Sequence, residues 1–362
     1  MSPETQNANL AQAREAKEDE FYTQLPDIEK ELRHYRKHFK GKTVYCNCDD
    51  PRVSNFFHYF SHNFEKLGLK RLITTCYQNK DMDLFSRKDS KQAIRLEYTG
   101  DKNKNRIPDI DEIGVQTLKG DGDFRSEESI DLLKQSDIVV TNPPFSLFRE
   151  YVNQLLKYEK QFLIIGSKNA ISYKDIFPHI MKNRIWVGYN SGDMAFMVPS
   201  SYEPRETRFW IDESGQKWRS LGNSCWFTNL DISKRHDDLI LYKKYSPKEY
   251  PSYDNYDAIE VSHYKDIPED YFDPMGVPIT FIENHNPDQF EILGVTQSWS
   301  DGRTKEYPEQ IQVNADGKTS RVRKLNDGAA IKVTTPPNKK TYYRVDHEYY
   351  VKVYARLLIK RK

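Results

Sequence analysis

The sequence predicts an α/β fold: a mostly parallel sheet with helices on both faces, followed by a smaller β-rich region. Three observations carry that expectation. Ile138-Val139-Val140-Thr141 is a β-branched run that stops at Asn142-Pro143-Pro144-Phe145. It passes into a helical spacing of apolar residues at Leu147, Phe148, Tyr151, Val152, Leu155 and Leu156. Thr43-Val44-Tyr45-Cys46 repeats that order of strand, polar loop and helix, with residues 54–67 as the helix. Beyond Asp231 the long apolar runs give way to short alternating segments. Strand, tight loop and helix in succession put a site at the carboxyl end of a strand in an open α/β sheet.

Taken in order, residues 1–16 are polar and predict a flexible N-terminus, without the apolar stretch of a secretory leader. Glu20-Phe21-Tyr22-Thr23-Gln24 precedes Pro26 and a helix over 27–39, for which Asp27 is the expected N-cap. The first strand then runs into Cys48-Asp49-Asp50-Pro51-Arg52, a loop without glycine. Asp49 and Asp50 either hold a ligand or cap the following helix at its positive end. Residues 69–77 read as a second strand, and 78–112 as a charged insertion or hairpin that turns at Gly100-Asp-Lys-Asn-Lys-Asn105. A weak strand at 115–119 leads to Gly120-Asp121-Gly122-Asp123-Phe124, either a solvated turn or a close approach to a ligand.

After the Asn-Pro-Pro-Phe loop and its helix, strands are expected at 162–166, 185–188, 195–199 and 224–229, with a hairpin over 207–218. Trp226 or Phe227 is a candidate pocket wall, although an ordinary core position is the commoner outcome for either ring. Farther on, 242–256 is loop-like and 277–282 a strand. Asn286-Pro287 with Gln289 reads as the capped start of a helix over 289–293. Residues 342–345 and 349–359 are expected strands with basic and aromatic residues interleaved.

The chain has 362 residues, of which 37% are hydrophobic, enough to build a core in one large or two ordinary domains. No apolar run reaches the roughly 18 residues of a membrane span. The four cysteines (Cys46, Cys48, Cys76 and Cys225) are too scattered for a disulfide framework, and no close His or Cys cluster calls for a metal. The net charge of +1 hides an asymmetry. Residues 295–362 hold 15 Lys and Arg against 7 Asp and Glu, a net of +8, while the remainder has 40 against 47, a net of −7. A basic end on an acidic body points to a polyanion partner.

The chemistry concentrates in the Asn142 loop. Pro143 and Pro144 fix their own φ angles and push the residues before them to extended backbone. An amide oxygen beside a rigid carbonyl accepts both hydrogens of one planar amino group, such as adenine N6. That favours the form with a localised lone pair, and so stabilises a transition state. Phe145 offers a face for stacking the base.

These residues carry a resemblance. Asn142-Pro143-Pro144-Phe145 is similar to the catalytic loop of amino-group methyltransferases. Asp19-Glu-Phe-Tyr-Thr-Gln24, Val44-Tyr-Cys-Asn-Cys-Asp-Asp-Pro-Arg-Val-Ser-Asn-Phe56, Gly120-Asp-Gly-Asp-Phe-Arg-Ser126, Asp137 to Phe148, Trp226-Phe-Thr-Asn-Leu-Asp231, Tyr253-Asp-Asn-Tyr-Asp-Ala-Ile259 and Met275-Gly-Val-Pro-Ile-Thr-Phe281 occur in one order. The chain thereby resembles the EcoRI-type adenine-specific DNA methyltransferases, over residues 15 to 293. No resemblance is found from residue 294 onward.

The resemblance implies a Rossmann-like S-adenosylmethionine-dependent methyltransferase sheet with a β-rich DNA-recognition region. The domains are then a catalytic domain over 17–231 and a target-recognition region over 232–362. The cofactor is S-adenosyl-L-methionine, with no metal. Asn142, Pro143, Pro144 and Phe145 are the catalytic residues. Phe21, Tyr22 and Thr23, with Cys48, Asp49, Asp50, Asp123 and Phe124, bind the cofactor. The reaction is N6 methylation of an adenine flipped out of double-stranded DNA. The order of cofactor loop, catalytic loop and recognition region is that of the γ class. The setting is a bacterial or phage-encoded, cytoplasmic enzyme with no membrane contact. It is an orphan methylase or the partner of a restriction endonuclease acting on the same site, with no stable protein partner implied. The alternatives are methylation of RNA adenine or of a protein glutamine, or a DNA-binding module without catalysis.

Overall fold

The computed structural model describes residues 21–48, 54–75, 93–105, 107–109, 111–200 and 202–362. The flexible N-terminus expected at 1–16, both loop aspartates (Asp49 and Asp50) and the end of the expected strand at 69–77 lie outside the described residues. The chain divides into two compact units. One comprises residues 1–170 and 185–232, and the other 171–184 and 233–362.

In the first unit, α1 (Leu25–Leu32) and α2 (Arg36–Phe39) precede β1 (Thr43–Cys46). Then come α3 (Asn55–His62), α4 (Phe64–Leu67), β2 (Arg71–Thr75), β3 (Ile94–Tyr98) and β4 (Gly114–Thr117). After these follow α5 (Glu127–Gln135), β5 (Ile138–Thr141), α6 (Phe148–Lys157), β6 (Gln161–Ser167), β7 (Trp186–Met197), β8 (Phe209–Ile211) and β9 (Lys217–Thr228). Among the described residues the strands form one nine-stranded sheet in the order β4-β3-β2-β1-β5-β6-β9-β7, with β8 on β9.

The sheet is mixed, where the sequence reading expected it mostly parallel. Its centre, β2-β1-β5-β6, is parallel, and its flanks are antiparallel. Parallel neighbours need a crossover, which α3–α4, α5 and α6 provide. β1 and β5 are buried at every position. Asp137 fixes where they meet: its carboxylate accepts the Thr43 N–H at 2.7 Å, and its own N–H donates to the Thr43 carbonyl at 2.9 Å.

Several local expectations change. The helix expected over 27–39 is two helices, broken at Tyr35, and its N-cap is Gln24, not Asp27. Pro26 lies in the first turn, where its missing N–H costs nothing, so the helix starts earlier. The helix at 54–67 breaks at Asn63, whose side-chain amide turns back to the Tyr59 carbonyl at 2.9 Å. It ends on Gly68 at φ +65°, a conformation that favours glycine.

The two strands expected at 185–188 and 195–199 are one strand, β7, with register shifts between Val187 and Ser191 and between Gly192 and Met194. Buried Glu31 explains how the first irregularity survives. Its carboxylate accepts the N–H groups of Tyr189 and Asn190 at 2.7 and 2.8 Å, the Asn190 amide at 2.8 Å and the Tyr35 hydroxyl at 2.7 Å. A Cβ at Gly188 would overlap that carboxylate and Trp226. Burial pushes the Glu31 carboxyl pKa up, and these hydrogen bonds oppose the shift.

The second unit contains α7 (Phe177–Met181), β10 (Ile259–Glu260), β11 (Met275–Pro278), β12 (Phe290–Val295) and β13 (Gln310–Val313). Next come β14 (Thr319–Val322), β15 (Ala330–Val333), β16 (Tyr342–Val345), β17 (Glu348–Lys352) and β18 (Arg356–Arg361). Among the described residues they form a four-stranded sheet, β10-β11-β18-β12, and a five-stranded sheet, β14-β13-β16-β17-β15. The strand expected at 277–282 stops at Pro278 and continues as a 3-10 turn.

The helix expected at 289–293 is β12. Asn286 does organise one turn, accepting the Asp288 N–H on its side chain and the Phe290 N–H on its carbonyl. Beyond it, Phe290 and Ile292 are buried while Glu291 and Leu293 are exposed, a period of two that β18 meets in antiparallel register. In the same sheet, Arg356 forks onto buried Glu260 at 2.7 Å, and the Tyr253 hydroxyl donates to the same carboxylate.

Candidate active site

β5 ends at Thr141, and the next residue is Asn142, only 5% exposed. Its Nδ2 donates to the Phe21 carbonyl at 2.5 Å. A carbonyl only accepts, so this bond settles the amide's orientation and turns Oδ1 the other way. Oδ1 is buried and has no hydrogen-bond partner. Pro144 is extended, and Phe145–Leu147 forms a 3-10 turn leading into α6. The Phe145 ring is half-buried. Phe21 packs against it, with centroids 5.3 Å apart and planes tilted by 48°.

The Phe21-Tyr22-Thr23 segment is held at three points. Tyr22 bridges to Met197 at the end of β7. Phe21 packs on Phe145, Phe196 and Tyr202. The Thr23 carbonyl accepts the Asn55 amide at 2.7 Å, at the start of α3. Its side chain is 2% exposed with Oγ1 unpartnered, and Ser54, 3% exposed, likewise has an unpartnered Oγ. Ser54 begins α3 without capping it through its side chain. Three buried polar atoms thus lack partners along one hydrogen-bonded connection from β5 to α3. Buried polar groups are normally satisfied, so ordered water or a bound polar ligand is their expected complement.

At the end of β1, Asn47 is buried. Its side chain accepts the Tyr151 hydroxyl and its carbonyl accepts the Thr141 hydroxyl, linking β1, β5 and α6. Cys48 then takes φ +79°, the left-handed turn that a glycine-rich loop would make with glycine. For a residue with a Cβ that conformation costs roughly 1–2 kcal/mol. Asp49 and Asp50 follow, outside the described residues. The carboxyl ends of β1 and β5 are neighbours, with Val44 and Tyr45 in register with Ile138 and Val139. From β1 the strand order proceeds outward in both directions, the switch point at which open α/β sheets bind ligands.

Asp123 does not stand free. Its carboxylate accepts the Arg125 guanidinium at 2.8 and 2.6 Å, and Arg125 lies 3.4 Å from Glu150. Phe124 is buried edge-on against Tyr151 at 5.0 Å, with the Arg125 guanidinium 5.3 Å from its ring centre. Trp226 and Phe227 are core side chains. Trp226 meets Phe56, and Phe227 meets Phe148.

Sequence reading missed Asn47, Ser54, Asn55 and Tyr151 as parts of this arrangement. The available signal was polar side chains directly beyond or within apolar runs, at the ends of β1 and the starts of α3 and α6.

In the second unit, register divides the five-stranded sheet into two faces. Arg321, Ile311, Arg344, Tyr349 and Val333 form one row across it, and Tyr342 lies on that side, 5.9 Å from Tyr349. The other side carries Tyr343 and Tyr350, which are buried. Arg321 and Arg344 are exposed. Part of the local charge excess is used internally: Arg356 pairs with Glu260, Lys305 with Asp254 and Lys332 with Glu348.

Comparison with known proteins supplies the remaining observation. The chain is 53% identical over 297 residues, 81% of its length and 90% of the relative's, to the Type II methyltransferase M.EcoRI of Escherichia coli. It is 40% identical over 289 residues to the Type II methyltransferase M.MgeORF184P of Mycoplasma genitalium, covering 78% of this chain and 84% of that one. It is 39% identical over 287 residues to the Type II methyltransferase M.MpnI of Mycoplasma pneumoniae, covering 78% and 83%. No solved structure gives a significant match. The family match spans residues 9–362, so it also takes in the segment from 294 in which sequence reading found no resemblance, and the chain belongs to the family described as adenine-specific methyltransferase EcoRI.

Proposed function

We propose that this protein transfers a methyl group from S-adenosylmethionine to the N6 amine of an adenine in a specific duplex DNA sequence. The observation that carries the reading is Asn142. It stands at the carboxyl end of a central strand with its amide nitrogen committed to Phe21 and its buried oxygen unpartnered. That oxygen is an acceptor waiting for a donor, and the amine of a base is such a donor. The family description and the relatives' names support the same chemistry.

The unpartnered hydroxyls of Thr23 and Ser54 fit a polar cofactor beside that point. In the proposed arrangement Phe21, Tyr22 and Thr23 cover it, while Cys48, Asp49 and Asp50 line the loop after β1. Asp123 and Phe124 flank its adenine, with Asp123 sharing its carboxylate between Arg125 and the ligand amine. When bound, S-adenosylmethionine supplies the methyl as a substituent of an electrophilic sulfonium. Asn142 Oδ1 and the Pro143 carbonyl each accept one N6 hydrogen, which localises the nitrogen lone pair. As the N–C bond forms and the sulfonium S–C bond breaks, positive charge would develop on N6, and the same two oxygens would stabilise it; the methylated amine would then release one proton to solvent, leaving S-adenosylhomocysteine as the other product. Phe145 stacks on the base with the ring face that Phe21 leaves open. Inside a duplex the amine is paired, so the adenine must leave the stack to reach Asn142.

The first unit then serves as a Rossmann-like catalytic domain, and residues 232–362 as the target-recognition region. Its outward row of Arg321, Arg344, Tyr342 and Tyr349 is the proposed contact with the phosphate backbone. Basic residues interleaved with aromatics suit that role. The setting is the cytoplasm of a bacterium, with or without a restriction endonuclease that reads the same site.

The test is direct. Purified protein, duplex DNA of mixed sequence and S-adenosylmethionine are incubated, and the DNA is digested to nucleosides. N6-methyldeoxyadenosine confined to one sequence context is expected. Methylated RNA or methylated glutamine instead, with the DNA unmodified, would overturn the substrate assignment.

A further inference from the structure

The loop joining β3 to β4 contains Asp101-Lys-Asn103-Lys-Asn105-Arg-Ile107-Pro-Asp109-Ile-Asp-Glu112. Counted from Asp101, oxygen-bearing side chains fall at positions 1, 3, 5, 9, 11 and 12, and Ile107 at position 7 offers its carbonyl. That is the ligand spacing of a twelve-residue calcium loop, D-x-[DN]-x-[DN] closing on a glutamate. The sequence departs from it at position 6, where Arg106 replaces glycine.

The geometry follows the spacing. The Asn105 N–H donates to the Asp101 and Asn103 side chains at 3.2 and 2.9 Å. The Ile107 N–H donates to the Asn105 side chain at 2.8 Å, and the Asp111 N–H to Asp109 at 3.2 Å. Lys104, between the second and third of these side chains, turns the backbone through φ +63°. The amides of Asn103 and Asn105 converge on one oxygen of Asp109, at 2.6 and 3.2 Å. Each amide oxygen that accepts an N–H keeps a second lone pair for a cation.

An independent observation comes from Glu112. It is 6% exposed. One carboxylate oxygen accepts the N–H groups of Lys102 and Asn103 at 2.6 and 3.0 Å, which holds the group inside the loop. The other oxygen is buried and has no hydrogen-bond partner. A buried carboxylate oxygen is costly unless a donor or a cation meets it.

We propose that residues 101–112 form a calcium site, in which Asp101, Asn103, Asn105, Asp109, Glu112 and the Ile107 carbonyl hold the ion and brace the β3–β4 hairpin. Among the described residues no three His, Cys, Asp or Glu side chains stand as a ready-made metal cluster. The three carboxylates of the proposed set, Asp101, Asp109 and Glu112, therefore do not stand together in this loop, and an ion would draw them in alongside two amides and a main-chain carbonyl. Calcium accepts six to eight such oxygens in an adjustable shell, whereas magnesium demands a near-ideal octahedron and keeps its waters. The site is structural and takes no part in methyl transfer.

Full-length protein stripped with a chelator should be titrated with calcium chloride, and separately with magnesium chloride, by calorimetry. One saturable calcium site is expected, with Kd no weaker than about 1 mM, the upper end for loops of this kind. Magnesium should bind at least about tenfold more weakly. Glu112→Gln keeps the acceptor for Lys102 and Asn103 but removes the charge, and should weaken calcium at least about tenfold. Asn103→Asp adds a charge at a ligand position and should tighten it. Calcium should also raise the Tm of the wild type and not that of Glu112→Gln. No saturable calcium binding, equal binding of magnesium, or a Glu112→Gln protein that binds calcium like the wild type would each overturn the proposal.

Discussion

Replacing Asn142 should separate two contributions that the structure joins in one side chain. Asn142→Ala removes the Nδ2 bond to the Phe21 carbonyl and the unpartnered Oδ1 together. The first anchors the Phe21–Thr23 segment, and a neutral hydrogen bond of that kind contributes about 0.5–1.5 kcal/mol. Cofactor affinity should therefore fall by roughly three- to tenfold. The second is needed only as charge develops on the amine. Deleting one such preorganised group costs about 3–4 kcal/mol, or 10²–10³ in rate. Asn142→Asp gives the contrast, because it keeps an acceptor for the amine but cannot donate to Phe21. It should lose cofactor affinity like Asn142→Ala and lose less rate. The assay is single-turnover methylation of a duplex with radiolabelled S-adenosylmethionine, with the cofactor Kd measured separately by calorimetry. A near-normal single-turnover rate for Asn142→Ala, with only cofactor affinity reduced, would show that Asn142 is an anchor for Phe21 and not a catalytic group.

Asp123→Ala should weaken cofactor binding by roughly 1–3 kcal/mol; if Asp123 merely holds Arg125, then Asp123→Ala and Arg125→Ala will leave calorimetric affinity equally unchanged. Phe145→Ala should reduce the fluorescence response of 2-aminopurine placed at the target position while sparing cofactor affinity; equal responses from both proteins would assign the stacking to another ring. Arg321→Ala with Arg344→Ala should flatten the log–log dependence of DNA affinity on salt, by about 0.9 for each phosphate that is no longer neutralised, and an unchanged slope would remove this sheet face from the interface. Point substitution is the right perturbation there, because deleting 295–362 would take away β18, the strand between β11 and β12. His285 is buried against the Phe290 carbonyl at 3.1 Å, and burial lowers its pKa from 6.5 to about 4. Its neutral form is favoured in the folded state, so the unfolded chain binds the extra proton. Stability should be full above pH 6.5 and fall as the pH drops towards 4, by about 3 kcal/mol. Denaturant titrations of the wild type and His285→Gln across that window should converge, and parallel curves would refute the assignment.

The sequence by itself determined the strand–loop–helix units at 43–67 and 138–157, because runs of β-branched residues, prolines and a helical apolar period act over a few neighbouring residues. It also marked Asn142-Pro143-Pro144-Phe145 as a candidate site, since two prolines stiffen a loop wherever they occur. Alternation marked strand 342–345 for the same local reason. Tertiary structure decided what depends on distant partners. Residues 290–295 carry a helix-start signal at Asn286-Pro287, yet β18 supplies a ladder of hydrogen bonds that local propensity cannot match. β7 runs unbroken where two strands were expected, because Glu31, far away in sequence, satisfies the N–H groups at its irregular register. Cys48 takes the conformation of a glycine because β1, β5 and α6 are tied together at Asn47 beside it. The orientation of the Asn142 amide was likewise invisible in the sequence. It is set by the Phe21 carbonyl, 121 residues away along the chain, which can only accept a hydrogen bond and so turns the oxygen of Asn142 the other way.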